Sequence, residues 1–447
     1  MLTGAFMLLV AACGAPAGVR SVGPAPNILV VSIDTLRADR VGRADARGAP
    51  LMPNLSVFAA SAAQFTRAYS QANETLYSHA ALFTGRYPSQ LGPIDYARFT
   101  IAGVPTLATT LRAAGYRTEG IVAGGHLAPE FGLHAGFHRY ASGRDFGSFQ
   151  QTVPLALARL DVLAASDSPW LLFVHGYDVH APYVNWGPVF GAETPAYAGP
   201  LRAASLIPWT FEQILGGAWY PGFGASFVGR GDRTLLDPRV FDALERYADE
   251  HPEDGQPLAP ADVAFVRGMY DTSARYADYQ VGVLLEGLGA RGLSEDTVVV
   301  VLSDHGEDLL EHGHVNHRLS LHDENLHVPL MIRGPGVAPG VSEELVALTD
   351  VLPTLAALAG VPSPPGEGRS LFAPAPDRAV YSEAARGEVS VRTAAGRLSV
   401  PAEVARAPNL PAEAPSRAFV TGPSGETSTW TDPLAVQLHR RLREVAP

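Results

Sequence analysis

Three side chains in this sequence are of types, and stand in places, that can hold a divalent cation. Asp34 follows the apolar run Asn27 to Ile33 (NILVVSI), and Asp304 with His305 follows the apolar run Thr297 to Leu302 (TVVVVL) after a single residue, Ser303. Two carboxylates and an imidazole suit zinc or manganese better than an all-oxygen calcium cage, although calcium remains open. A cation held this way offsets charge on the non-bridging oxygens of an anionic ester. Hydrolysis of such an ester needs two further groups, a nucleophile beside the cation and an acid for the leaving oxygen. Histidines are concentrated near these places: His180 lies just past a third apolar run, Trp170 to His175 (WLLFVH), and His312, His314, His317, His322 and His327 crowd one stretch. An isolated aspartate after a strand is commonly a turn or helix-cap residue. The joint pattern carries the reading.

The elements that must position these groups follow from periodicity. Continuous β-branched runs without polar alternation read as buried, parallel strands. Asn27 to Ile33, Thr118 to Val122, Trp170 to His175 and Thr297 to Leu302 are such runs. Pro105 to Tyr116 and Tyr270 to Leu288 have helical spacing instead. Strands alternating with helices give an α/β fold with a mainly parallel sheet. Polar residues repeatedly occur just past the C-terminal ends of the strands, the edge where open α/β sheets bind ligands. If the strands leading to Asp34 and Asp304 are neighbours, the two carboxylates converge.

Several ordered segments resemble the sulfatase family. Pro26 to Asp39 (PNILVVSIDTLRAD) is similar to its first metal-binding segment, and Thr75 to Pro88 (TLYSHAALFTGRYP) to its nucleophile segment. Asp178 to Tyr183 (DVHAPY) resembles its substrate-binding turn. Ser303 to Glu307 (SDHGE), His312-Gly313, and His327 to Gly336 (HVPLMIRGPG) resemble the second metal segment and the stretch after it. Leu348 to Gly360 (LTDVLPTLAALAG) also fits, so the likeness runs from about residue 26 to 372. It implies an alkaline-phosphatase-like α/β fold with a smaller C-terminal α+β subdomain. The expected divisions are a catalytic domain over 27–345, with an insertion at 186–260, and a subdomain over 346–447.

By that resemblance Asp34, Thr75, Asp304 and His305 bind one divalent ion (zinc, manganese or calcium), and Thr75 is the nucleophile. His79 orients the nucleophile. His180 and His317 contact the transferred group or the leaving oxygen and supply the acid, and His126 is a further substrate-side histidine. A second ion between Asp178, His180 and His317 is not expected. The resemblance implies a hydrolase of sulfate or phosphate esters on a small molecule, glycan or lipid. The alternatives are a phosphodiesterase or phosphoethanolamine-type transferase, and an inactive surface-binding lipoprotein. Three departures bear on this. Sulfatases make formylglycine from Cys or Ser, and Thr75 cannot form that aldehyde. Thr35 replaces the second Asp of the common Asp-Asp pair. The usual lysine is missing, because every one of the 33 Lys-plus-Arg residues is arginine.

Composition sets the outer bounds. With 47% hydrophobic and 17% charged residues, the chain can bury a large core. A net charge of −12 argues against a nucleic-acid partner. The sole cysteine, Cys13, excludes an intramolecular disulfide. Residues 1–12 read as the apolar part of a secretion signal, and Val10-Ala11-Ala12-Cys13 resembles a bacterial lipobox. The reading predicts export, with Cys13 as a lipid anchor to the membrane and residues 13–26 as the tether, although no basic residue precedes Cys13.

Overall fold

The computed structural model describes residues 25–45, 47–143, 146–181, 183, 186, 260–312, 317–373, 375–411, 418–422, 427–428 and 433–447. The signal segment, Cys13, most of the tether, the 186–260 insertion apart from its end residues, and His314 lie outside them.

The three longest apolar runs form the middle of one sheet. Strand β1 (Asn27–Ile33) lies between β5 (Trp170–Gly176) and β6 (Thr297–Leu302), parallel to both. Beyond β5 come β3 (Arg117–Val122) and β4 (Arg139–Ser142), also parallel. Beyond β6 the sheet turns mixed. β8 (Leu330–Arg333) is antiparallel to β6, and β2 (Ala63–Tyr69) is antiparallel to both β8 and β7 (His327–Val328). β9 (Gly340–Ala347) runs parallel to β2 and completes a nine-stranded sheet.

Side-chain alternation along β1 divides the core. Ile28 and Val30 point to one face, with Phe173, Val300 and Leu302. Leu29, Val31 and Ile33 point to the other, with Leu172, Val174, Val299 and Val301. Helices α2 (Thr75–Thr84) and α3 (Leu107–Ala113) cover the first face. Helices α1 (Pro53–Ala60), α4 (Phe149–Ala164) and α5 (Pro260–Ala290) cover the second. Both faces of β1 are therefore dry, which is why its sequence lacks polar alternation. Asp278 of α5 accepts the Asn54 and Leu55 amides at 3.1 and 2.8 Å, capping the otherwise open start of α1.

The short helix α6 (Asp323–Leu326) precedes β7. Helix α7 (Val351–Leu358), with Leu371 and Phe372, packs into the first face of the large sheet. The separate sheet begins only at β10 (Val380–Glu383). It continues antiparallel through β11 (Glu388–Thr393), β12 (Gly396–Pro401), β13 (Phe419–Thr421) and β14 (Thr427–Ser428). Helix α8 (Ala402–Arg406) follows β12, and α9 (Pro433–Val445) lays Ala435, Leu438 and Leu442 on this sheet at helical spacing.

Candidate active site

Asp34 emerges directly from β1, and Asp304 lies two residues past β6, so pairing of those strands sets the two carboxylates side by side. Thr35 turns the chain away at φ 56°, a left-handed conformation unusual for a β-branched residue. That turn lets the Thr35 amide donate to Asp304 Oδ1 at 3.3 Å and the Leu36 amide to Ser303 Oγ at 2.9 Å. The Thr35 hydroxyl donates back to the Asp34 carbonyl at 2.8 Å.

Thr75 is the first residue of α2, a helix buried along its entire length. Its hydroxyl donates to Asp34 Oδ2 at 3.1 Å and stands 3.4 Å from His305 Nε2. His305 Nδ1 faces the Gly306 carbonyl at 2.9 Å, which turns Nε2 toward the cluster. One turn into α2, Ser78 donates to Asp304 Oδ2 at 3.2 Å. His79 Nδ1 lies 2.8 Å from the Thr75 carbonyl and 3.4 Å from Asp304 Oδ2, while its Nε2 meets Ser32 Oγ at 3.0 Å. His79 thus touches the backbone of Thr75 and a site carboxylate, not the Thr75 hydroxyl.

Asp34, Asp304 and His305 are all buried, and their ligand atoms lie within 4.8 Å of one another. Burial, then repulsion from Asp304, pushes the Asp34 carboxyl well above its ordinary range. Burial also opposes charge on Asp304, but His305, His79 and His175 around it outweigh that and hold it down. Asp34 Oδ1 is buried and makes no hydrogen bond among the described residues. Two adjoining buried carboxylates, one with an orphaned oxygen, fit a divalent cation, which removes both costs.

The substrate-side groups gather beside this cluster. The His317 ring lies 4.3 Å from that of His305 and 5.1 Å from that of His180. His317 Nδ1 is 2.9 Å from Glu307 Oε1, and Glu307 Oε2 accepts the Ala181 amide at 3.3 Å. Burial pushes the Glu307 carboxyl up to about 8 and His180 down to about 4. Burial pushes His317 and His126 well below their ordinary range too. His126 sits against Tyr96 and Phe146, with Nε2 3.4 Å from the Arg318 guanidinium. Asp178 is placed elsewhere: its Oδ2 accepts the Phe149 amide at 2.7 Å at the start of α4.

The sequence alone does not single out Arg318, Ser78, Glu307 or His175. His175 Nε2 lies 3.4 Å from Asp34 Oδ2, and its Nδ1 has no hydrogen-bond partner among the described residues. Its place at the end of the apolar run before Asp178 is the available clue.

The sulfatase family model matches residues 26–361. The chain belongs to the sulfatase family. Human arylsulfatase A is 28% identical over 373 residues, covering 77% of this chain and 66% of that protein. Choline-sulfatase of Rhizobium meliloti (strain 1021) is 26% identical over 373 residues, covering 75% and 68%. The chain thus spans about two thirds of the length of these curated relatives. A solved structure in complex with its substrate D-glucosamine-2-N,6-O-disulfate superposes with a TM-score of 0.65 at 20% identity, covering 94% of this chain and 97% of that one. The alkaline-phosphatase-like fold expected from the sequence is the one found.

Proposed function

We propose that this sulfatase-family chain hydrolyses sulfate esters, with the Thr75 hydroxyl as attacking group beside one divalent ion. The observation that carries the reading is the convergence of Thr75 Oγ1, Asp34 Oδ2 and His305 Nε2 at the start of α2. Asp34, Asp304, His305 and the Thr75 hydroxyl would hold the ion. When bound, it supplies charge stabilisation to the non-bridging oxygens and lowers the pKa of a hydroxyl bound to it.

The chain's own residues do the rest. The N-terminus of α2 places its partial positive charge at Thr75, favouring charge developing on Oγ1. His79 and Ser78 brace the same turn and the Asp304 carboxylate. Arg318 brings to the substrate side the positive charge that a lysine-free chain must draw from arginine. Glu307 engages Nδ1 of His317, which leaves Nε2 to pass a proton to the leaving ester oxygen. His180 stands next to it and shares that face. Attack moves the Thr75 proton to Asp34 Oδ2, the acceptor of its hydrogen bond, forms the bond from Oγ1 to sulfur and breaks the bond from sulfur to the ester oxygen. That oxygen leaves as the alcohol with the proton from His317 Nε2, while Glu307 supplies one to Nδ1. Water then attacks the sulfur and gives one proton to His317 Nε2, and Glu307 recovers its proton from Nδ1. The Thr75 oxygen leaves with the proton held on Asp34, so that hydrogen sulfate is released.

The names of the relatives, an arylsulfatase and a choline-sulfatase, support sulfate as the transferred group. One observation favours phosphate esters as a second reading. Thr75 cannot become formylglycine, and phosphoryl enzymes routinely resolve such covalent esters with water. Metal-loaded protein assayed on aryl sulfate, phosphate monoester and phosphodiester separates the readings, with fastest release expected from the sulfate. Thr75→Ala should lose at least about a thousandfold in kcat while its metal content is unchanged. Turnover by that variant at the wild-type rate would reject Thr75 as nucleophile, and no turnover by wild type on any of the three would favour a binding protein.

A further inference from the structure

A second group of ligating side chains lies on the partly exposed surface, apart from Asp34, Asp304 and His305. His312, His322 and Glu324 each bring one ligand atom within 4.8 Å of the others. His312 Nε2 and Glu324 Oε2 are 3.3 Å apart. Two ligands of a tetrahedral zinc ion, each at about 2.0–2.1 Å from the metal, stand about 3.3 Å from one another. This pair is therefore already at ligand spacing. The His322 ring is stacked face to face on His312 at 3.6 Å and on Phe419 at 4.2 Å, so its ligand atom lies within 4.8 Å of the pair and one imidazole turns out of the stack to share an ion.

The surroundings favour a cation. Asp308 and Glu311 stand close enough to His312 to act on its charge, adding to the field of Glu324. The neighbouring carboxylate, Asp323, is engaged instead by Arg392 and Arg397. The side chains of His312 and Glu324 are 32% and 24% exposed, so an ion can reach them from solution. An imidazole–imidazole–carboxylate set is borderline in softness and suits zinc over magnesium or calcium.

We propose that His312, His322 and Glu324 form a second, peripheral site for a zinc-type divalent ion. It closes the foot of the segment from His317 to His322, which brings His317 and Arg318 into the pocket. That foot is already joined to the metal-side loop, because the Gly306 amide donates to the Asn325 carbonyl at 2.8 Å. An ion there ties residues 305–312 to residues 322–324, at the base of residues 317–321, without touching substrate.

The test is zinc titration of the chelator-stripped full chain, read by calorimetry and by metal content after gel filtration. Wild type should hold one ion more than His322→Phe, a change that keeps the aromatic stack on Phe419. Glu324→Gln should weaken that same ion at least tenfold and leave the other unchanged. Asp304→Asn should lose the central ion and keep the peripheral one. If Asp304→Asn keeps no zinc, or His322→Phe and Glu324→Gln bind as much as wild type with equal affinity, the proposal is overturned. Should the central reading alone be wrong, wild type would hold a single ion that His322→Phe removes. Cobalt substitution gives an independent readout: Asp304→Asn should show visible bands that vanish in the Asp304→Asn, His322→Phe double variant.

Discussion

Arg318 bears the largest consequence of the missing lysines. Its Nε lies 3.4 Å from Glu74 Oε2, and its terminal nitrogen lies 3.3 Å from Tyr96 Oη and 3.4 Å from His126 Nε2. Next to burial, its positive charge helps keep His126, His180 and His317 neutral. A guanidinium in that place can turn its fork to an anionic ester. A charge-assisted hydrogen bond contributes about 1.5–3 kcal/mol, so Arg318→Ala should lower kcat/KM about 10- to 100-fold. Arg318→Lys should fall between, keeping charge but losing the fork. Steady-state kinetics check this, and a kcat/KM within twofold of wild type for Arg318→Ala would place the group outside the substrate path. Asp34, Asp304 and His305 were legible in the sequence because each follows an apolar strand. Arg318 was not, since what distinguishes it is its neighbours Glu74, Tyr96 and His126, all from distant segments.

Among the elements, those buried on both faces were the legible ones. β1, β5 and β6 announce themselves as unbroken apolar runs because neither face meets water. β2, β8 and β9 give no such signal: they are short or mix polar with apolar residues, and their pairing is set by the far side of the sheet. Helical spacing marks α5 from Tyr270, but the helix begins at Pro260, where proline fits the first helical turn. α4 has a start that its own sequence does not cap, because Ser148 makes no side-chain cap bond. Asp178 supplies the acceptor from the turn after β5, and burial pushes its carboxyl up to about 7 against the opposing bond from Phe149. The folded chain therefore keeps this group protonated over a range where the unfolded chain ionises it. Its contribution to stability is full below about pH 4, falls as pH rises, and is exhausted above about pH 7. Urea midpoints measured from pH 4 to pH 8 should fall more steeply for wild type than for Asp178→Asn. Parallel curves for the two proteins would refute that origin.

Taken whole, the molecule joins its two sheets through charge as well as apolar contact. Arg392 of β11 and Arg397 of β12 are 7% and 4% exposed, and both donate to Asp323 on α6. Arg392 also lies over the Tyr69 ring of β2 at 4.2 Å, and Arg397 over Phe419 at 4.5 Å. Backbone bonds reinforce the joint, with the Glu383 amide donating to the Gln71 carbonyl at 2.9 Å. The second sheet is therefore anchored beside the segment from His317 to His322, and its stability bears on the pocket. Removing one partner of a fully buried ion pair costs about 3–5 kcal/mol. The Asp323 side chain is 39% exposed, so solvent screens part of its attraction and Asp323→Ala should cost nearer about 2 kcal/mol. Two buried guanidiniums would be left without their shared carboxylate, while the Asp34–Asp304–His305 cluster keeps every one of its contacts. Unfolding midpoint and turnover should then drop together, with metal held at Asp304 unchanged. A variant with lowered stability but wild-type kcat and KM would show that the small sheet merely rests beside the catalytic one.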